Sequence, residues 1–369
     1  MLLKLTIRLL LIALVACAAL PAPLSAQTAA KQQAGEKTYQ NPIFDADFPD
    51  PTVIRASDGY FYAYATNTTV DGRLHHIQTA RSRDLVEWER LPDAMPEKPI
   101  WADKTEPKFW APHVHEADGK FFLYYSADPN TQTGLCLAVA VADKAAGPFR
   151  DVGKPLKCGP SFVNIDPMAF DDPVSGKKYL YWGSGFEPLK VQELAADRTS
   201  FASGSEPVNL VAPHKTEDSN DYQRLVEGAW VTYRGGFYYL FYSGDNCCGE
   251  KAHYAVMVAR SRRPTGPFET LADAAKRPNS VILEKNERWL APGHNSVVRD
   301  DRGDDWMFYH AIDTNRRKTA EGGDRRVMLM SRLVYRDGWV VVEGGAPVVS
   351  RVKAPKIKSA AKKKSKTKS

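Results

Sequence analysis

Five times along the chain one short pattern recurs: a polar opening, a valine-rich segment, a turn holding glycine, and an aromatic run. The copies begin at Asp50-Pro-Thr-Val-Ile, Ala111-Pro-His-Val-His, Asp166-Pro-Met-Ala-Phe, Glu227-Gly-Ala-Trp-Val and His294-Asn-Ser-Val-Val. Their turn glycines are Gly59, Gly119, Gly176, Gly235 and Gly303, a period of roughly 60 residues, which lies near the range of repeat architectures. Further β-type runs follow each turn, such as Ile77-Gln-Thr-Ala-Arg-Ser, Leu137-Ala-Val-Ala-Val-Ala and Val256-Met-Val-Ala-Arg-Ser. Each repeat therefore carries about four strands, the content of one propeller blade. A β-sandwich, the alternative, would not require such a period. We expect an all-β fold, a single five-bladed β-propeller over residues 38–350. Inner strands of a propeller line the axis, so Asp50, Asp166, Glu227 and His294, eight to ten residues ahead of their turns, should converge there. Pro51 is expected to hold Asp50 in extended backbone.

The ends read differently. Residues 1–26 have the order of a signal peptide: Lys4 and Arg8, an apolar run from Leu9 to Ala16, then small residues to Ala26. Leu14-Val15-Ala16-Cys17 resembles a bacterial lipobox, which would acylate Cys17; cleavage after Ala26 is the alternative. Both imply export, to the periplasm or beyond. Residues 27–37 read as a linker. Residues 351–369 hold nine of the basic residues and no acid, and are expected to be a disordered tail. Removing those nine, with Lys4 and Arg8, from a net charge of +6 leaves the body near −5. A nucleic-acid partner is therefore not expected. No later run is apolar enough to span a membrane, and a monomer is expected.

Export brings an oxidising compartment, so Cys136, Cys158, Cys247 and Cys248 are expected in disulfides. Cys136 and Cys158 share a repeat and could bridge locally. Cys247 and Cys248 either form a strained vicinal bridge or seek distant partners. No spacing argues for structural zinc.

Three acids and a histidine in one axial pocket suit hydrolysis of a glycosidic bond. That chemistry needs one ionised carboxylate to activate water and one protonated carboxyl for the leaving oxygen. A third carboxylate raises the acid's pKa through like charge. At these residues the sequence resembles glycoside hydrolase family 43. The resemblance rests on Asp47-Phe-Pro-Asp50-Pro, Ile165-Asp166-Pro, Glu227-Gly-Ala-Trp and Pro292-Gly-His294-Asn-Ser, with Arg326 upstream of Asp337-Gly-Trp339. It implies a five-bladed propeller and an inverting mechanism. Asp50 would be the base, Glu227 the acid, and Asp166 the group that orients and tunes Glu227. Arg326 would touch substrate. Calcium on the axis near His294 occurs in relatives; no cofactor is otherwise expected. Two positions depart from the family pattern: Ala229 replaces a proline, and His113 stands where many relatives carry aspartate, a candidate substrate contact.

Sugars stack on aromatic rings. Phe48, Trp110, Trp182 and Trp230 adjoin the motifs and are candidate walls of the pocket. Asp245-Asn-Cys-Cys-Gly resembles a loop of arabinan-active members. The expected substrate is an arabinose-containing plant polysaccharide, cleaved by an α-L-arabinofuranosidase or arabinanase. A β-xylosidase, a non-catalytic carbohydrate-binding propeller and a retaining fructosidase of the invertase type are the alternatives.

Overall fold

Each repeat becomes one antiparallel sheet whose strands follow chain order. A computed structural model describes residues 36–358, apart from Lys104, Glu106, Pro107, Gln132 and Thr133. The leader with Cys17, most of the linker, and residues 359–369 lie outside the described residues. The innermost strands are Thr52–Arg55, Phe109–Ala117, Met168–Asp171, Glu227–Arg234 and Trp289–Arg299. The aromatic runs form the second strands, such as Phe61–Ala65 and Asp305–Asp313, and both of these are buried along their whole length. A sheet wedged between two neighbours has no wet face, so its strands are apolar on both sides rather than alternating. At the hairpin turns the backbone needs positive φ, as at Gly119 (73°) and Gly303 (86°), where side chains are disfavoured. Cys136 and Cys158 face each other across the outer strands of the second blade and form the expected local disulfide.

The fifth blade draws all four strands from consecutive sequence, ending at Trp339–Val342. Among the described residues no strand is exchanged to close the ring. Instead, the segment from Tyr39 to Phe48 runs along Arg326–Arg336 of the fifth blade. Ile43 N donates to Met328 O at 3.1 Å and Phe48 N to Arg326 O at 2.7 Å. Asn41 bonds the backbone of Met330 in both directions, at 3.0 Å each. Tyr39, Ile43 and Phe48 then share a core cluster with Trp306, Phe308 and Met328.

The chain's other end joins this seam, which corrects the boundary of the basic tail. Val352–Lys353 pairs with Thr38–Tyr39, and Ile357 packs on the same cluster. Lys356 N and Lys358 N donate to Asp300 Oδ2 (2.9 Å) and Asp301 Oδ2 (2.6 Å). The overlooked signal was apolar: Val352, Pro355 and Ile357 interrupt the cations and give the segment something to bury.

One backbone feature repeats around the axis. Asp50, Ala111, Asp166, Gly228 and His294 all have left-handed φ, between 45° and 61°. This overturns the extended backbone expected for Asp50. It also shifts the fourth repeat: Gly228, not Glu227, stands in phase with Asp50, and Glu227 lies one residue earlier. A non-glycine residue held in this region costs on the order of 1–3 kcal/mol and persists where its surroundings over-determine it. Here the preceding blade supplies the restraint. The N–H groups of Ala111, Asp166 and His294 donate to Thr66 Oγ1, Ser126 Oγ and Ser243 Oγ. Those of Asp50 and Gly228 donate to His310 Nδ1 and Asp166 Oδ2.

Candidate active site

Three of these left-handed residues, Asp50, Asp166 and His294, line a cavity of about 1360 Å3, together with Glu227 and Arg326. Asp50, Asp166 and His294 enter it from left-handed backbone, while Glu227 enters from the residue before left-handed Gly228, so side chains from four blades meet in one space.

Asp50 is held by one guanidinium, one hydroxyl and two imidazoles. Its Oδ1 lies 3.2 Å from Arg326 Nη1, 3.4 Å from His294 Nδ1 and 3.2 Å from His310 Nδ1. Its Oδ2 accepts from Thr66 Oγ1 at 2.5 Å. Burial pushes this carboxyl up, but Arg326, His294 and His310 more than offset that, leaving it well below the ordinary carboxylate range. Burial lowers both histidines, His310 to about 4, so at neutral pH the fixed positive charge on Asp50 is Arg326. Arg326 is itself raised, burial being outweighed by Asp50 and by the two cysteine thiols.

Across the cavity the balance reverses. Glu227 Oε2 accepts from Ser184 Oγ at 2.7 Å, and Oε1 from Tyr254 Oη at 2.8 Å. Asp166 Oδ2 accepts from Gly228 N at 3.0 Å, with His294 Nδ1 3.9 Å away. Burial, then the charges of Glu227 and Asp50, drives Asp166 well above the carboxylate range. Burial also raises Glu227, against the pull of its two hydroxyl donors. The pocket thus keeps one carboxylate ionised and lets the other two retain a proton between them.

The aromatic candidates divide. Trp110 lines the cavity, with Lys108 Nζ 5.9 Å above its ring. Phe48 and Trp182 do not: both are fully buried, Phe48 at the ring seam and Trp182 donating through Nε1 to Asn164 Oδ1. Trp230 is also core, edge-on to His113 at 5.3 Å. Trp182 and Trp230 stand on strands packed on both faces and Phe48 on the segment along the fifth blade, so lying next to a motif does not place a ring on the axis. His113 is likewise buried and no substrate contact: its Nδ1 accepts Ala169 N–H at 3.2 Å, a bond between blades. Burial holds it neutral, as an acceptor must be.

Cys247 and Cys248 are thiols, not the disulfide partners expected. Adjacent cysteines close only a strained ring, and the other two cysteines are already joined. Both line the cavity, and Cys247 Sγ lies 3.8 Å from Arg326 Nη1.

Thr66, Ser184, Tyr254 and His310 were missed by the sequence reading, each a single polar residue in or just after a strand beyond the innermost one. Phe162 and Phe186 were missed too. They meet edge to face at 6.1 Å on the cavity rim, where Phe186 is 66% exposed.

His294 Nδ1 is occupied between two carboxylates, and among the described residues no group of three or more His, Cys, Asp or Glu side chains could hold a metal ion. The residues present do not fit a protein-ligated calcium, and no step is routed through one.

An all-β ring with an ionised carboxylate facing a proton-retaining pair belongs among the acid–base hydrolases. Residues 39–340 match the family model "Glycosyl hydrolases family 43". The chain belongs to that family: it is a glycoside hydrolase, and the family's reaction inverts the anomeric centre. It is 28% identical over 286 residues to the extracellular exo-α-(1→5)-L-arabinofuranosidase ArbA of Cellvibrio japonicus, covering 72% of this chain and 79% of that one. The extracellular endo-α-(1→5)-L-arabinanase 2 of Bacillus subtilis is 26% identical (82% and 71% covered), and a putative β-xylosidase of Escherichia coli 28% (86% and 59%). Among solved structures, a thermostable family-43 glycoside hydrolase superposes with a TM-score of 0.70 at 26% identity, covering 87% of this chain and 100% of that one.

Proposed function

We propose that this protein is an exported hydrolase of arabinose-containing plant polysaccharide, of the α-L-arabinofuranosidase or arabinanase type. The observation that carries the mechanism is the placement, within one cavity, of Asp50 against Arg326 at 3.2 Å and of Glu227 and Asp166 against neutral donors. Asp50 takes a proton from water, which attacks the anomeric carbon. Glu227 delivers its proton to the departing glycosidic oxygen. Asp166 keeps Glu227 oriented, through Gly228 N–H, and shares with it the proton that the pair retains. Arg326 holds Asp50 ionised and reaches the sugar.

Arabinose is favoured by the names of relatives that match the chain over most of their length. The putative β-xylosidase of equal identity makes xylose the second reading. Export is supported by the leader's residue order and by two relatives described as extracellular. Among the described residues no helix is long and apolar enough to cross a membrane. Acylation of Cys17 would tether the enzyme to a membrane surface.

A panel of aryl pentosides with linear arabinan decides the substrate, product anomers being followed by NMR. Turnover of arabinosides or arabinan with an inverted first product is expected. Preference for xylosides selects the second reading, and a retained anomer overturns the mechanism.

A further inference from the structure

Two rings lie between the base and the acid. Tyr254, in the third strand of the fourth blade, donates to Glu227 Oε1 at 2.8 Å. His310, in the second strand of the fifth, accepts Asp50 N–H at 3.1 Å. The rings are parallel to within 2°, with centroids 5.8 Å apart, and both residues are at most 1% exposed. Beneath them Gly293 is the strand partner of His310. A Cβ on Gly293 would lie 2.1 Å from the Tyr254 ring, so the ring occupies space that only glycine leaves. At three of the other four openings a serine or threonine hydroxyl takes the N–H, and at Gly228 the Asp166 carboxylate does. At Asp50 an imidazole does it, and the imidazole is what meets the tyrosine.

We propose that Tyr254 and His310, seated on Gly293, are positioning residues: a rigid spacer that sets the gap between Glu227 and Asp50 in which water and sugar align. This rests on the acid and base roles given above. Packed rings resist compression, because interiors are close-packed and closer approach meets steep repulsion. Burial, then the charge of Glu227, keeps the Tyr254 hydroxyl protonated, so it remains a donor throughout the working pH range. The spacer therefore also restrains the acid's proton affinity, alongside the other groups facing Glu227: Ser184, Asp50, Arg326, Asp166 and the two cysteine thiols.

Two variants separate the roles. Gly293→Ala displaces the tyrosine ring but removes no reacting group; kcat should fall on the order of 10²-fold, the scale of a misplacement near 1 Å. Tyr254→Phe keeps the ring and loses the donor. Removing a donor to the carboxylate raises the Glu227 pKa, so the alkaline limb of the pH–rate profile should move to higher pH while kcat at the optimum falls far less than in Gly293→Ala. Carboxyl 13C NMR of glutamate-labelled protein reports the same Glu227 shift without turnover, so this inference is tested even if the substrate reading fails. Wild-type kcat in Gly293→Ala, or an unmoved Glu227 titration in Tyr254→Phe, overturns it. If Gly293→Ala does not fold, the Tyr254→Phe titration decides alone.

Discussion

Asp50 and Asp166 open two repeats in the same phase, precede a proline alike, and share left-handed backbone at φ 56° and 60°. They lie across the axis from each other in one cavity, yet one carboxyl is pushed far down and the other far up. Burial acts on both in the same direction. The difference is the company: Asp50 faces Arg326 at 3.2 Å, while Asp166 faces Glu227 and receives only a backbone N–H and a distant imidazole. Identical residues on nearly identical backbone thus take opposite parts because the fifth blade's Arg326 pairs with Asp50 and acts on Asp166 only as a lesser influence.

The largest test of that contrast removes its ionised half. Asp50→Asn should lower kcat by about 10²–10⁴, the scale of a lost general base, with folding unchanged by circular dichroism. An unaltered rate would take Asp50 out of the reaction. Next, Glu227→Gln should cripple substrates with poor leaving groups and spare activated aryl glycosides, which depart without a proton. Equal loss on both would contradict its part as acid. The smallest effect is the most discriminating. In Asp166→Asn a negative neighbour of Glu227 disappears, so the proton leaves Glu227 more readily and the alkaline limb should fall to lower pH. That is opposite in sign to the shift expected for Tyr254→Phe. Superimposed profiles would mean that Asp166 does not tune the acid.

The repeating turns and motif acids made the ring and most of its polar floor legible in the sequence. Asp50, Asp166, Glu227, His294 and Arg326 do converge. The sequence was less informative wherever position depended on which face of a doubly buried strand a side chain takes. Phe48, Trp182, Trp230 and His113 stand beside or within motifs and still point into the seams between blades. The sequence pattern puts Glu227 in phase with the other acids, whereas Gly228 takes the left-handed position and Glu227 sits one residue ahead of it. Thr66, Ser184, Tyr254 and His310 belong to no local pattern. Each matters only because a residue about 16 to 260 positions away comes within hydrogen-bond distance.

The ring's seam has a consequence of its own. Thr38 lies opposite Lys353 in a two-stranded ladder, so the two ends of the folded body meet like the halves of a clasp. A cargo fused at either end would hang from that clasp. A gene rearranged to join the ends there, and to begin instead at the turn after Asp118 or Arg302, would keep all five blades and turn the non-covalent closure of the bracelet into a continuous link.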